Sequence, residues 1–120
     1  MLTKEFVDKL KYYHSNNDYE SIIKESKIKL NEQPDSFFLL DIIGSTYGLI
    51  ENFYESIEYY KRALVIDPTS YEVCCAIGIS YFKLENYSEA ECYYLKSIEI
   101  DSSKSEAYIR LAVLYSHKND

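Results

Sequence analysis

The chain of 120 residues has no apolar run long enough to cross a bilayer, and its first residues, with Lys4, Glu5, Asp8 and Lys9, lack the apolar core of a secretion signal. A cytoplasmic location is the default expectation, with a nuclear one as the alternative, and no membrane partner is expected. Cysteine is scarce: Cys74, Cys75 and Cys92 are odd in number and without metal-ligand spacing, and neither His14 nor His117 lies near them in sequence. No metal or cofactor is expected, and the count favours a reducing compartment. Glycine is limited to three residues, and the chain has no Gly-rich phosphate loop and no Ser-His-Asp, Cys-His or His-Glu metal pattern, so no catalytic residue is expected and the chain is not read as an enzyme.

Basic residues are thin where they would matter for nucleic acid. The formal net charge is -7, and residues 35–102 carry Asp35, Asp41, Glu51, Glu55, Glu58, Asp67, Glu72, Glu85, Glu89, Glu91, Glu99 and Asp101 against Lys61, Arg62, Lys83 and Lys96. Phosphate binding needs a basic track that this stretch does not supply, so no nucleic-acid partner is expected. The carboxylates form either a solvated face or a surface for a basic partner.

What the chain does have is a period. A spacing of 34 residues separates Pro34 from Pro68, Gly44 from Gly78, and each of Tyr13, Tyr47, Tyr81 and Tyr115 from the next. A fixed repeat of that length marks a stacked array, in which one helix pair cannot bury its apolar face alone. With Phe37 as repeat position 1, two units superimpose without a gap, and Asp18, Asn52, Asn86 and Asp120 all fall at position 16, each suited to cap a second helix. Glu55 and Glu89 follow Asn52 and Asn86 by three residues, the spacing of a capping box. Pro34 and Pro68 close the preceding helices, and Ser36 and Ser70 can cap the next. These signals predict seven helices near 3–15, 19–31, 36–50, 53–66, 70–84, 87–100 and 104–117.

Position by position, Ile43-Gly44 and Ile77-Gly78 at 7 and 8, Tyr47 and Tyr81 at 11, Ser56 and Ala90 at 20, Ala63 and Ser97 at 27 and Pro68 at 32 resemble the tetratricopeptide repeat. That resemblance implies an all-α fold, a right-handed α-solenoid of helix-turn-helix pairs, with small residues letting two helices approach and rings filling the space beside them. It implies a single domain over 1–120, divided into an atypical first repeat at 3–36, repeats at 37–70 and 71–104, and a partial repeat or capping helix at 105–120. The first unit departs from the pattern, with Leu10 at position 8, Ile22 at 20, Ser26 at 24 and Lys29 at 27, so its helices must sit farther apart. It is either a capping pair or an ordinary helical hairpin leading into two true repeats. Asp120 occupies a capping slot with no helix after it, and the last helix is apolar on more than one side. A fragment of a longer array, or a homo-oligomer formed through the C-terminal helix, would account for both.

In arrays of this kind function is expected on the concave wall, built by the first helix of each pair from positions 2, 5, 9 and 12, with 6 beside them. Lys4, Val7, Lys11 and His14 begin that wall, and Glu72 and Glu106 lie along it. The groove proper takes Phe38, Asp41, Ile42, Ser45, Cys75, Ala76, Ile79, Phe82, Ile109, Arg110 and Val113. One subclass of the family grips the acidic C-termini of Hsp70 and Hsp90 through a carboxylate clamp of basic and Asn side chains at set positions. Those positions here hold Val7, Lys11, Ile42, Glu72 and Ala76, or Asp41, Ser45, Ala76, Glu106 and Arg110, and neither set is a clamp. The expected role is a protein-interaction scaffold whose groove takes a peptide or amphipathic helix, basic or apolar. The alternative is a substrate-presenting or oligomerisation module of a larger enzyme or complex, and the groove could equally be covered by another part of the same protein or a second copy.

Overall fold

Each helix begins where a side chain or a turn satisfies its free N–H groups. In the computed structural model, which describes residues 2–118, these are α1 (Lys4–Ser15), α2 (Tyr19–Glu32), α3 (Phe37–Leu49), α4 (Phe53–Ile66), α5 (Tyr71–Lys83), α6 (Tyr87–Ile100) and α7 (Glu106–Lys118). Every element among the described residues is helical. Thr3 accepts from the Phe6 amide at 3.2 Å, Ser36 from Leu39 at 3.2 Å and Ser70 from Val73 at 3.3 Å, so the first helix of each of the three pairs carries a hydroxyl cap.

The second helices start differently. Asp18 accepts from the Ser21 amide at 3.2 Å, but Asn52 and Asn86 make no side-chain cap bond, which corrects the expected capping box. Glu51 and Glu85 hold φ of 62° and 63°, and that left-handed step turns the next amide back onto the helix just ended. The Asn52 amide donates to the Tyr47 carbonyl at 2.9 Å and Asn86 to Tyr81 at 2.9 Å, so the donor that a box glutamate would accept is already spent. Asp120, the fourth position-16 residue, lies outside the described residues. Helix ends also prove independent of proline. Asp67 accepts from the Thr69 amide at 3.0 Å, and Asp101, followed by Ser102 instead of proline, accepts in the same way from Ser103 at 3.0 Å.

Consecutive helices pack along the chain, giving an elongated body of 47 × 26 × 21 Å. Its radius of gyration of 15.1 Å exceeds the about 14 Å expected for a compact domain of this length. Within the second and third pairs the approach is close enough to require glycine: a Cβ on Gly44 would stand 3.0 Å from the Tyr60 ring, and one on Gly78 2.5 Å from the Tyr94 ring. The Ser56 hydroxyl donates to the Gly44 carbonyl at 2.7 Å, crossing from one helix of the pair to the other. The first pair packs more openly. There Leu10, Ile22 and Ser26 are buried at positions 8, 20 and 24, with the large and small residues at 8 and 24 exchanged. A continuous core runs from Ile23 and Leu30 through Leu39, Ile43 and Ile57 to Val73 and Ile77. A second cluster of Ala90, Tyr94, Leu111 and Leu114 ties α6 to α7.

Two tyrosine stacks repeat on the second-helix side. Tyr47 lies 5.8 Å from Tyr59, and Tyr81 5.8 Å from Tyr93. Lys27 and Lys61, each from the preceding pair, cover Tyr47 and Tyr81 at 5.1 and 5.4 Å. Such cation–ring contacts contribute about 0.5–1 kcal/mol each at exposed sites and help fix the register between pairs.

Candidate functional site

The first helices of successive pairs stand side by side, and the depressions between them form one wall. Between α1 and α3 lies a slot of about 370 Å³, walled by Val7 and Leu10 on one side and by Phe38, Ile42 and Leu49 on the other, with Ile22 of α2 behind. Between α3 and α5 a second, of about 490 Å³, is bounded by Ser45, Gly48, Leu49, Ala76 and Ile79. A third, of about 600 Å³, is bounded by Glu72, Cys75, Ala76 and Ile79 of α5 and by the 103–106 segment leading into α7. Ser45 borders the first two and Ala76 and Ile79 the last two, so the slots are continuous.

Six of the expected groove residues, Phe38, Ile42, Ser45, Cys75, Ala76 and Ile79, thus come together on this wall. Cys75 offers little surface, because it is buried at 3% exposure against Tyr71 and Ala107. Phe82 is placed differently from expectation. It packs against the Tyr94–Leu111–Leu114 cluster, with the His117 ring edge-on at 5.1 Å, because α7 folds over it. Ile109 and Val113 stand exposed on α7, and Arg110 pairs with Glu106 at 3.7 Å.

Charge on the wall is uneven. Glu72 accepts from Lys104 at 2.9 Å, and that hydrogen bond holds its carboxyl below the ordinary value. Asp41 has no ion-pair partner among the described residues: burial, and then the negative charge of Glu72, push its carboxyl up. Burial followed by the Asp41 carboxylate pushes the neighbouring Tyr60 phenol far above its ordinary value. Burial also raises the Tyr94 phenol to about 12 and the Cys74 thiol above its usual range, so both stay neutral at physiological pH. Cys74 is fully buried and fills the core as a small apolar side chain. No group of three or more His, Cys, Asp or Glu side chains is placed to hold a metal ion among the described residues, and no described helix is long and apolar enough to cross a membrane.

Two features escaped the sequence reading. Leu49, at position 13 and the last residue of α3, contributes to the wall one residue beyond the concave stripe. The Tyr71 phenol oxygen accepts from the Ala107 amide at 2.9 Å and so serves the start of α7 from a residue 36 positions earlier. The paired lysines at position 25, Lys27 and Lys61, were a legible signal for the tyrosine stacks.

Comparison with known proteins agrees with this geometry. No curated protein matches the chain. Among solved structures, the crystal structure of MamA superimposes with a TM-score of 0.85 at 24% identity, covering 90% of this chain; the present chain spans 63% of that one. The first tetratricopeptide domain of Spaghetti (RPAP3), bound to the HSP90 peptide SRMEEVD, gives 0.87 at 17% identity, covering 96% of this chain and 91% of its own. The Sgt2 tetratricopeptide domain from Aspergillus fumigatus gives 0.83 at 20% identity, covering 98% and 81%. At these identities the likeness is one of fold. The family model for the tetratricopeptide repeat matches residues 39–70 and 71–104, the two units carrying the glycine–tyrosine packing. The chain is an all-α helical repeat solenoid and belongs to the tetratricopeptide repeat family, a family of protein-interaction modules.

Proposed function

We propose that the chain is a non-catalytic scaffold that binds a peptide or amphipathic helix of another protein along its concave wall. The observation that carries this reading is the continuous row of three slots, in which Phe38, Ile42, Ala76 and Ile79 present apolar surface at the spacing of adjacent helices. Glu72 and Glu106 stand where a ligand carboxylate would have to be gripped, so a peptide ending in the acidic Hsp70 or Hsp90 sequence is expected not to bind at low micromolar concentration. A calorimetric titration showing such binding would remove that part of the reading.

The test of the whole is capture from the source cell extract with the wild type, an Ile42→Glu plus Ile79→Glu variant checked for helicity, and a Val65→Glu control on the exposed side of α4. Partners lost from the first variant and kept by the control support the wall. Partners kept by both place the binding surface elsewhere. A second reading has its own observation: Tyr108, Ile109, Val113 and Tyr115 are 40 to 58% exposed on α7, a face that suits self-association within a larger assembly. Light scattering of the purified chain separates the two, since a monomer at high concentration rules out the second.

A further inference from the structure

α7 carries apolar side chains on two opposite sides. Ala107, Leu111 and Leu114 are buried against α5 and α6. On the far side Tyr108, Ala112 and Ser116 stand in line, one turn apart, with Tyr115 on one flank and Ile109 and Val113 on the other, and all six are exposed. α3 and α5 show what such a face is built for. Repeat positions 4, 8 and 11 hold Leu40, Gly44 and Tyr47 in α3 and Cys74, Gly78 and Tyr81 in α5. There the second helix of the pair covers them: Gly44 meets the Tyr60 ring and Tyr47 stacks on Tyr59, while Gly78 meets Tyr94 and Tyr81 stacks on Tyr93. In α7 the same positions are Tyr108, Ala112 and Tyr115, and each stays exposed.

The charges of α7 lie off this face by helical register: Glu106 near its start, Arg110 in the middle, His117 and Lys118 at its end. Glu106 is the one carboxylate of the helix, against Arg110 and Lys118, so α7 does not share the acidic excess behind the net charge of -7. Two copies therefore repel each other less here than over the acidic middle of the chain. The face is also self-complementary. Set face to face and antiparallel about Ala112, two such helices bring Tyr115 level with the partner's Ile109 and Tyr108 level with the partner's Ser116. Ala112, small and central, lets the backbones approach at the crossing. The same flank of each helix then meets in reverse order, which sets Glu106 beside the partner's His117. Each helix N-terminus lies next to a C-terminus, the favourable arrangement of the two dipoles.

We infer that α7 docks on α7 of a second copy of the chain, antiparallel about Ala112, to form a two-fold symmetric dimer. The partner's α7 takes the place that a second helix holds beside α3 and α5. This rests on the second reading above, self-association through α7, and fixes which residues meet.

The test uses the full chain carrying Cys92→Ser, which removes the exposed thiol and leaves the buried Cys74 and Cys75 in place. Sedimentation equilibrium over a range of concentrations should show monomer and dimer in exchange. Ala112→Glu brings two like charges together on the two-fold axis and should weaken the dimer at least tenfold. Ile109→Glu, at a second exposed position of the face, should do the same, and Val65→Glu on α4 should leave the dimer unchanged. Register is read with a short bis-maleimide cross-linker. Ala112→Cys should cross-link to itself, and Tyr108→Cys should cross-link to Ser116→Cys when the two are mixed. Ser116→Cys alone should not, since its two thiols would stand about 12 Å apart along the helix axes. A dimer cross-linked through Ser116→Cys alone would be parallel, overturning the inference and leaving self-association through α7 standing. A dimer indifferent to both Ala112→Glu and Ile109→Glu would overturn both. A monomer at the highest soluble concentration would also overturn both and leave the face to a helix of another protein.

Discussion

In the third helix pair a Cβ on Gly78 would come within 2.5 Å of the Tyr94 ring, while in the first pair the same two repeat positions hold Leu10 and Ser26. Both pairs bury those residues, and both cover their apolar faces with neighbours. What differs is where the bulk sits. A ring reaching from the second helix over a glycine draws the helices together, whereas a leucine on the first helix facing a position with only a hydroxymethyl group leaves them more open. The open pair creates the gap beside α3, and the tight pairs supply the rigid wall against which it opens. The same repeat length therefore yields a scaffold and a pocket from one exchange of sizes.

The largest effects come from forcing one solution onto the other. Tyr94→Ser empties a site only 1% exposed and should cost about 3–5 kcal/mol, the range for removing a buried ring. Gly78→Leu alone overpacks the same contact and should cost about 1–3 kcal/mol. Combined, they recreate the arrangement of the first pair, so the double variant should lose clearly less than the sum of the two. Urea denaturation of the four proteins gives the coupling. Strict additivity would mean that the size exchange does not explain why the first pair is open.

A smaller effect tests what the first solution leaves behind. The Ser26 hydroxyl is fully buried and has no hydrogen-bond partner among the described residues, whereas Ser56 and Ser97, equally buried, donate to carbonyls at 2.7 Å and 3.1 Å. Ser26→Ala should therefore stabilise the chain by about 1 kcal/mol, while Ser56→Ala should destabilise it by about the same amount. Opposite signs in the two denaturation midpoints are the expected result, and a loss at both sites would mean that Ser26 is satisfied in solution.

Much of the fold was legible because repeat positions carry packing instructions that recur. Two glycines under two tyrosines, prolines and serines at the joints, and a spacing of 34 residues leave few alternatives to stacked helix pairs. Departure at Leu10 and Ile22 also announced an open first pair. The site was less legible, since its shape depends on distances between helices that a repeat pattern does not encode. Phe82 occupies a wall position by register, yet the fold of α7 and its His117 cover it and pack it, half-buried, against the α6–α7 cluster. The asparagines at position 16 look like caps, and only the left-handed residues before them reveal that the backbone has already satisfied the turn.

Those left-handed residues give a graded comparison among the three pairs. Asn17, Glu51 and Glu85 share φ values of 56°, 62° and 63°, but asparagine tolerates this region better than glutamate. Glu85→Gly and Glu51→Gly should each raise stability by about 0.5–1 kcal/mol, and Asn17→Gly by less. Thermal midpoints of the three variants check the order. An equal gain at all three would show that residue type at this step does not matter.

The smallest effect bears on the carboxylate of α3 that faces Glu72. Burial and Glu72 raise the Asp41 carboxyl above its ordinary value of 3.8, so the folded chain holds that proton more tightly than the unfolded chain does. The favourable contribution is present below the unfolded value and is lost as the pH rises through the folded one, which makes the ionised carboxylate a net cost at neutral pH. Asp41→Asn should thus raise the thermal midpoint at pH 7 relative to wild type, with the advantage shrinking as the pH falls below the raised carboxyl value. If Asp41 meets a partner cation on the concave wall, the same variant should bind a peptide captured there more weakly while being more stable, the opposition expected of a residue kept for recognition at the expense of stability. A variant that lost both stability and binding would instead make Asp41 a structural residue of α3 and detach it from the binding wall.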